Sequence, residues 1–507
     1  MKKVLLSIFF LCLGLLAFTQ TIVYSEPDSD DVRDMSFDII GKMNGNILVY
    51  KTASNQHYIC VYDAEMKQVD RFKLDYLTER VYNVSFIQYP DFAYLFYQYQ
   101  KRSIIYCMAV KLDASGKKMG DPIQLDTTDS REVQNNKIYS FVQSADKQKI
   151  LFFKINTINS NVHQITTLLF DKSLNLINKS SEAVPMREHN SFLTSFEIDN
   201  NGRFAFIKAI GTSGNDNISQ LVLITKEAAA SVFNYHNLSK QENVYLDEVK
   251  LKVNNSNNQY IITSFFSNKR RGDVQGIYVS IWDNNTNKEK LSTTVVFDND
   301  FRNDAKGDAS TKTAFDDFFI KDIITKKDGG FLLTSQCEYS SSHGNNGNLN
   351  RWDYMNNSSY YGTGSYYSFG SPSYYSSPWN RFGNNYNITR YYSDNIAIIS
   401  LDSTAKLQWS NVIRKSQFDD NTEAYIGYGM FNAGNQLKFL FNVLEKRQLM
   451  LNEQSITPDG QIIRSSTLRG LDKGFDFMPR NAKQVGAKQI IVPCMLRSSL
   501  CFAKIDY

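Results

Sequence analysis

The chain has 507 residues, with 26 Gly, only 9 Pro, and Phe, Tyr and Trp together at 13%. That composition excludes collagen-like and Pro/Gly-linker classes, and six Cys over this length are too few for a disulfide scaffold. A hydrophobic content of 42% can build a core, which excludes global disorder, and the net charge of +4 gives no reason to expect nucleic acid.

In chain order, the first element is a leader. Lys2-Lys3 precede an apolar run over 4–18, the n-region and h-region of a secretory signal, with a cut expected before Gln20. An uncleaved anchor is the alternative, but the run is short of the roughly 20 apolar residues that span a bilayer. No small residue of a lipidation site precedes Cys12, and no second run of spanning length follows, so the processed chain is expected to have no transmembrane span.

After the leader, apolar runs recur with partial alternation, broken by Asn, Asp, Gly and Ser, which reads as strands. The clearest helix candidate, 226–232, is short. One element repeats: an apolar strand ending in Asp, a short polar turn, then another strand. Its anchors are Asp63, Asp113, Asp171, Asp283, Asp402 and Asp506, with weaker copies at Thr225 and Thr457. Their spacings lie between 49 and 58 residues except for one of 119, where an insertion is visible. Asp at a strand end most simply bonds its own turn, so the anchors are read as turn chemistry and not as an acidic site.

Each unit carries two strands before its anchor strand, joined by turns such as Asn44-Gly45, Asn201-Gly202, Asp328-Gly329-Gly330 and Gly434-Asn435, and one strand after it. Four antiparallel strands per period make the blade of a β-propeller. The last unit stops at Tyr507 after its third strand, while Thr21-Ile22-Val23-Tyr24-Ser25 is a strand without a partner in its own unit. Pairing the two closes the ring and removes two sheet edges. The expectation is an all-β fold: a single propeller domain over 20–507 with eight four-stranded blades, closed by the N-terminal strand, with seven blades as the alternative.

In such a blade the first–second and third–fourth turns open on one face, and the second–third loops and inter-blade connections on the other. The second set reads as longer, at 156–162, 211–217, 268–275, 298–317 and a large insertion over 339–393 in the sixth blade. The insertion holds Trp352 and Trp379 with Tyr339, Tyr354, Tyr360, Tyr361, Tyr366, Tyr367, Tyr374, Tyr375, Tyr386, Tyr391 and Tyr392, eleven of the 30 Tyr. Asn, Ser and Gly fill the rest, so it cannot form its own core, but this is also the composition of antibody paratopes. It reads as a loop that orders on a partner, or as a disordered insertion, with stacking on sugar rings as a third reading. Arg270 and Arg271 in 268–275 and the acidic segment 298–317 are expected to gather beside it.

Five Cys follow the leader, and Cys494 and Cys501 flank a turn at Arg497-Ser498, facing each other across a hairpin. They are a disulfide candidate, with two small buried apolar residues as the alternative. The five His are scattered, and no CxxC, HExxH, GxSxG, P-loop or dinucleotide fingerprint occurs, so no metal, no cofactor and no catalytic residue is expected.

The Tyr- and Asn-rich make-up and the loose anchor repeats resemble exported β-propeller proteins of Bacteroidota, some of which accompany outer-membrane or type IX secretion machinery. Type IX cargo carries a separate C-terminal sorting domain, whereas this chain ends inside the expected ring. The resemblance implies a non-enzymatic scaffold retained in the periplasm or at the periplasmic side of the outer membrane, with the cell surface or secretion as the alternative, binding envelope proteins through the elaborated face. A glycan-binding propeller using the Tyr/Trp loop is the alternative, and a cryptic hydrolase the third reading.

Overall fold

The computed structural model describes residues 21–29, 35–77, 81–129, 139–188, 190–211, 217–342, 388–445, 448–465 and 474–507. The leader 1–19 lies outside them. The described chain is an all-β propeller of four-stranded antiparallel blades, eight in number. Blades one to seven occupy 36–73, 81–129, 140–185, 191–237, 245–296, 318–413 and 429–464. Blade eight combines 475–506 with the N-terminal strand Thr21–Tyr24, which pairs antiparallel with Ser499–Asp506. Blades four and five share one continuous sheet through a single bridge, Ile218 to Leu246.

The burial pattern explains why the alternation in the sequence is only partial. Each blade is covered on both faces by its neighbours, so its inner strands are apolar on both sides. The second strand of blade five, Gln259–Ser267, is buried at all nine positions. The outermost strands, such as Gln68–Lys73 and Leu176–Pro185, sit at the rim and are largely exposed.

Six of the eight anchor residues act as expected, whereas Thr225 meets His236 across the sheet and Asp506 accepts from Gln489 across its hairpin. Asp63 Oδ1 accepts from the Glu65 and Lys67 amides at 3.0 and 2.9 Å. Asp113, Asp171 and Asp402 accept from the amides two and four residues on. Thr457 does the same through Oγ1, which accepts from Gln461 N–H at 3.0 Å. Each turn then passes into a fourth strand that in blades one, three, five and six carries a one-residue bulge, at Val69, Ile177, Lys290 and Gln408. A bulge twists an exposed edge away from straight pairing, which guards the rim against edge-to-edge association.

Ring closure is visible in the core. Eight apolar clusters each join two consecutive blades, and the one containing Phe37, Ile39, Ile491 and Phe502 joins blade eight to blade one. The first strands surround the axis: Ser36–Met43 touches Val81–Gln88 on one side and Lys483–Gly486 on the other. Behind the closing strand, Asp28 forms an ion pair with Lys51 of blade one, and Lys51 Nζ lies 5.3 Å from the Phe502 ring centre of blade eight. Both charges of this pair are buried.

Four local expectations are corrected. The segment 226–232 is not helical: strand Ile218–Lys226 ends there in a turn closed by Ala230 N–H to the Glu227 carbonyl. The helix lies instead at Asn299–Ala305, where Asp298 caps the N-terminus and Phe301 and Ala305, one turn apart, face the core. The region 156–162 is not a loop, because Lys149–Asn159 and Val162–Asp171 continue to a two-residue turn. Nor does the insertion in blade six reach its expected limits: 339–342 and 389–393 are strand, paired from Tyr339–Tyr392 to Ser342–Thr389. Finally, Cys494 and Cys501 are opposite one another across the hairpin, as expected, but both are free thiols. Both lie in the apolar seam with blade seven, where thiols pack as small apolar groups, and Cys501 Sγ donates to the Ser499 carbonyl at 3.8 Å.

Candidate functional site

The long connections do not ring the face evenly. Among the described residues the second–third turns of blades one, two, three and eight are two residues each, and the long second–third connections belong to blades four to six. There the loops bind one another. Asn217 of blade four accepts the Arg271 amide through Oδ1 at 2.9 Å, and its Nδ2 donates to the Leu246 carbonyl of blade five. The loop 268–275 meets 298–317 through Lys312 and Asp273 at 3.1 Å, and through Val274 N–H donating to Asp316 Oδ1 at 2.9 Å. Arg302, buried, donates to the Val274 and Gln275 carbonyls at 2.9 and 2.8 Å.

The acidic segment 298–317 is a packed cap because its apolar residues form a small core. The rings of Phe297, Phe301 and Phe315 lie within 4.4 to 5.2 Å of one another, and Phe318 lies tilted beside Phe315 at 4.8 Å. Its helix is tied to blade six by Asn395 Nδ2 donating to the Ala305 carbonyl at 3.2 Å and by an Arg414–Asp304 ion pair. Three connections and the top of blade six thus form one plate.

Beside that plate blade six rises above the ring. Its second and third strands, Phe331–Ser342 and Thr389–Leu401, run past the end of the first, and a short strand Phe418–Asp420 pairs on the other side of Thr389–Leu401. The result is a three-stranded pedestal from which the chain leaves at 342 and returns at 388. Its side carries an aromatic row: Tyr339 stacks on Tyr392 at 4.4 Å, and Tyr392 meets Phe418 at 6.2 Å. Arg390 lies 4.5 Å over the Phe418 ring while making a two-pronged bond to Asp420 at 2.7 and 3.0 Å. Phe418 remains 53% exposed, a large figure for an aromatic ring in a strand.

A buried polar network fixes the pedestal to the ring. Glu338 accepts from Lys321 at 2.6 Å and from Arg480 of blade eight at 2.9 Å, and Arg480 also reaches Glu423 at 3.3 Å. Burial alone would raise the Glu338 carboxyl, but Lys321 and Arg480 outweigh it and hold it below the usual range. Lys415 donates to the Ser393 carbonyl at 2.6 Å and to Gln417 Oε1 at 2.7 Å. Burial pushes its ammonium down to about 7, against the upward pull of Asp394 and Glu338. Gln417 continues the chain to the Asn442 carbonyl of blade seven at 2.7 Å.

Of the residues singled out in the sequence, Arg270 and Arg271 are exposed at the edge of the plate. Trp352, Tyr354, Tyr360, Tyr361, Tyr366, Tyr367, Tyr374, Tyr375 and Trp379 lie outside the described residues. Tyr339, Tyr391 and Tyr392 belong to the pedestal strands. Sequence reasoning missed Glu338, Lys415, Gln417, Phe418 and Arg480. They share no residue type or spacing, and the network draws on positions from 321 to 480, which no local motif shows. Among the described residues no group of His, Cys, Asp and Glu could hold a metal, and no helix is long and apolar enough to cross a membrane.

No family model matches the chain, and no curated protein matches it. Solved structures similar to it include a prolyl endopeptidase (10% identity, 84% of this chain and 55% of that one, TM-score 0.34). Prolyl oligopeptidase B from Galerina marginata is another (8% identity, 92% and 56%, TM-score 0.41). A third is the polysaccharide lyase Uly1 (8% identity, 83% and 89%, TM-score 0.38). The chain spans about half the length of the first two. At such identities and TM-scores these likenesses carry no argument about activity or substrate.

Proposed function

We propose that this propeller is a non-enzymatic interaction scaffold of the cell envelope, exported to the periplasm or the periplasmic side of the outer membrane. In this reading it binds an envelope or outer-membrane protein through the elaborated sector of blades four to six. The observation that carries the reading is the junction of three inter-strand connections into one plate beside a braced pedestal, while the turns of the opposite face stay short. Loops on a rigid scaffold are the usual place for recognition, and a pedestal held by a buried ion network keeps its geometry when unbound.

The test is removal of 343–387, with Ser342 joined to Ile388 by a short Gly-containing turn, followed by affinity purification from the native envelope. The full chain captures a protein partner and the shortened chain, still folded by circular dichroism, does not. Capture by both chains would refute use of the insertion. A second reading, glycan binding, is favoured by one observation: the half-exposed Phe418 face beside the fixed Arg390–Asp420 pair offers a flat ring with oriented polar groups. Glycan-array signal lost in Phe418→Ala, with protein capture intact, would promote it.

A further inference from the structure

The seam between blades one and two holds a cleft of about 600 Å3, across the ring from the elaborated sector. It arises from the way the anchor turn of one blade meets the outer strand of the blade before. The turn after Asp113 is pressed onto blade one: a Cβ on Gly116 would come within 2.8 to 3.1 Å of Ile59, Leu48 and Phe72. The same packing recurs where the turn after Thr457 in blade seven meets the outer strand of blade six. There Trp409 lies against Gly460, and its Nε1 donates to the Pro458 carbonyl at 3.0 Å. In the first seam Phe72 takes that place. Its ring is smaller and has no polar group to bond the turn, and the cleft opens beside it.

The walls of the cleft are apolar and its edge is cationic. After Phe72 the chain folds back in a turn fixed by Leu74 N–H to the His57 carbonyl at 2.8 Å and Leu77 N–H to the Leu74 carbonyl at 3.0 Å. That turn presents Tyr76, whose ring rests against Tyr97 with centres 6.4 Å apart. Lys118 stands over the Tyr76 ring, with Nζ 6.0 Å from its centre. Phe72, Leu74 and Tyr76 thus line the cleft with carbon, while Lys73, Lys117 and Lys118 set three ammonium groups around it against one carboxylate, Asp75. The pairs Lys73–Asp75 at 3.7 Å and Lys118–Asp121 at 3.3 Å are exposed and worth little. Lys117 bonds its own turn through its backbone, the amide donating to Asp113 Oδ1 at 2.9 Å, which leaves its ammonium for a ligand.

We propose that this cleft binds a small aromatic anion. The flat ring lies between Phe72 and Tyr76, and a carboxylate or phosphate end is held by Lys117 and Lys118 with Lys73 at the edge. An apolar cavity of this size with a few polar groups at one side is the usual form of a small-molecule site, and the excess of positive charge selects an acid over a neutral ring.

The test is ligand-observed NMR titration of the processed chain with naphthylacetate, with acetate and naphthylethanol as the probes lacking the ring and the charge. The site predicts saturable one-to-one binding of naphthylacetate, about tenfold or more tighter than either control. The exposed double substitution Lys117→Gln with Lys118→Gln should weaken naphthylacetate by about tenfold, the size of a lost charge-assisted contact, and leave naphthylethanol unchanged. Phe72→Trp, which puts into this seam the ring that Trp409 puts into its counterpart, should abolish binding of both without lowering the melting temperature. Naphthylacetate binding no tighter than that of acetate or naphthylethanol, or binding that the double Gln variant leaves unaltered, would overturn the proposal.

Discussion

Lys415 stands fully inside the root of the pedestal, and its low affinity for a proton has a consequence for stability. Below about pH 7 it is protonated folded and unfolded, and the cost of burying the charge is complete. Between about 7 and the ordinary lysine value of 10.5 the unfolded chain binds a proton that the folded chain does not, so stability rises with pH. Lys226, whose ammonium burial lowers to about 8, adds a contribution of the same sign above that pH. Urea unfolding from pH 7 to pH 9.5 should therefore show increasing stability, and Lys415→Met should flatten the curve across that range. A slope unchanged in that variant would contradict the assignment. Intact mass of the non-reduced protein after thiol labelling should show Cys494 and Cys501 both modified once the chain is unfolded. These residue-scale features divide sharply in legibility. The anchor Asp residues could be read because a carboxylate and its turn are four residues apart, whereas the partners of Lys415 are brought together only by the fold.

The capped segment 298–317 illustrates the element scale. It reads in sequence as an acidic loop, because nine charged residues, six of them acidic, mask two Phe whose spacing fits neither a strand nor a long helix. The structure resolves this as a seven-residue helix begun by Asp298, whose Oδ1 accepts the Phe301 amide at 2.8 Å. Asp298→Ala should cost about 1 kcal/mol, the usual worth of such a cap, measured by chemical denaturation. A loss no larger than the error of the measurement would show that the Phe cluster alone holds the segment. The bulges after the anchor turns escaped sequence reading as well. One extra residue at the start of an outer strand leaves no compositional mark, since Val69, Ile177, Lys290 and Gln408 share no chemistry.

For the whole molecule, the blade count and the closing strand were legible because the repeat is set by local turn chemistry and the two ends carry complementary halves of one blade. What the repeat could not show is that elaboration is a sector, since strand ends and loops look alike in Asn- and Ser-rich sequence. The closure itself is testable: Asp28→Ala strands Lys51 as a buried charge and should cost about 3–5 kcal/mol, whereas replacing both partners, Asp28→Leu with Lys51→Met, should cost less. Equal losses would mean that the pair does not bear on closure. The claim that one face of the ring does the binding is tested most directly by lysine cross-linking in the intact envelope, read by mass spectrometry. Lys269 and Lys312 are exposed on the elaborated face, and Lys67, Lys117 and Lys406 are exposed in the turns of the plain face. Intermolecular links concentrated at Lys269 and Lys312 are the predicted result, and links concentrated at Lys67, Lys117 and Lys406 would contradict it.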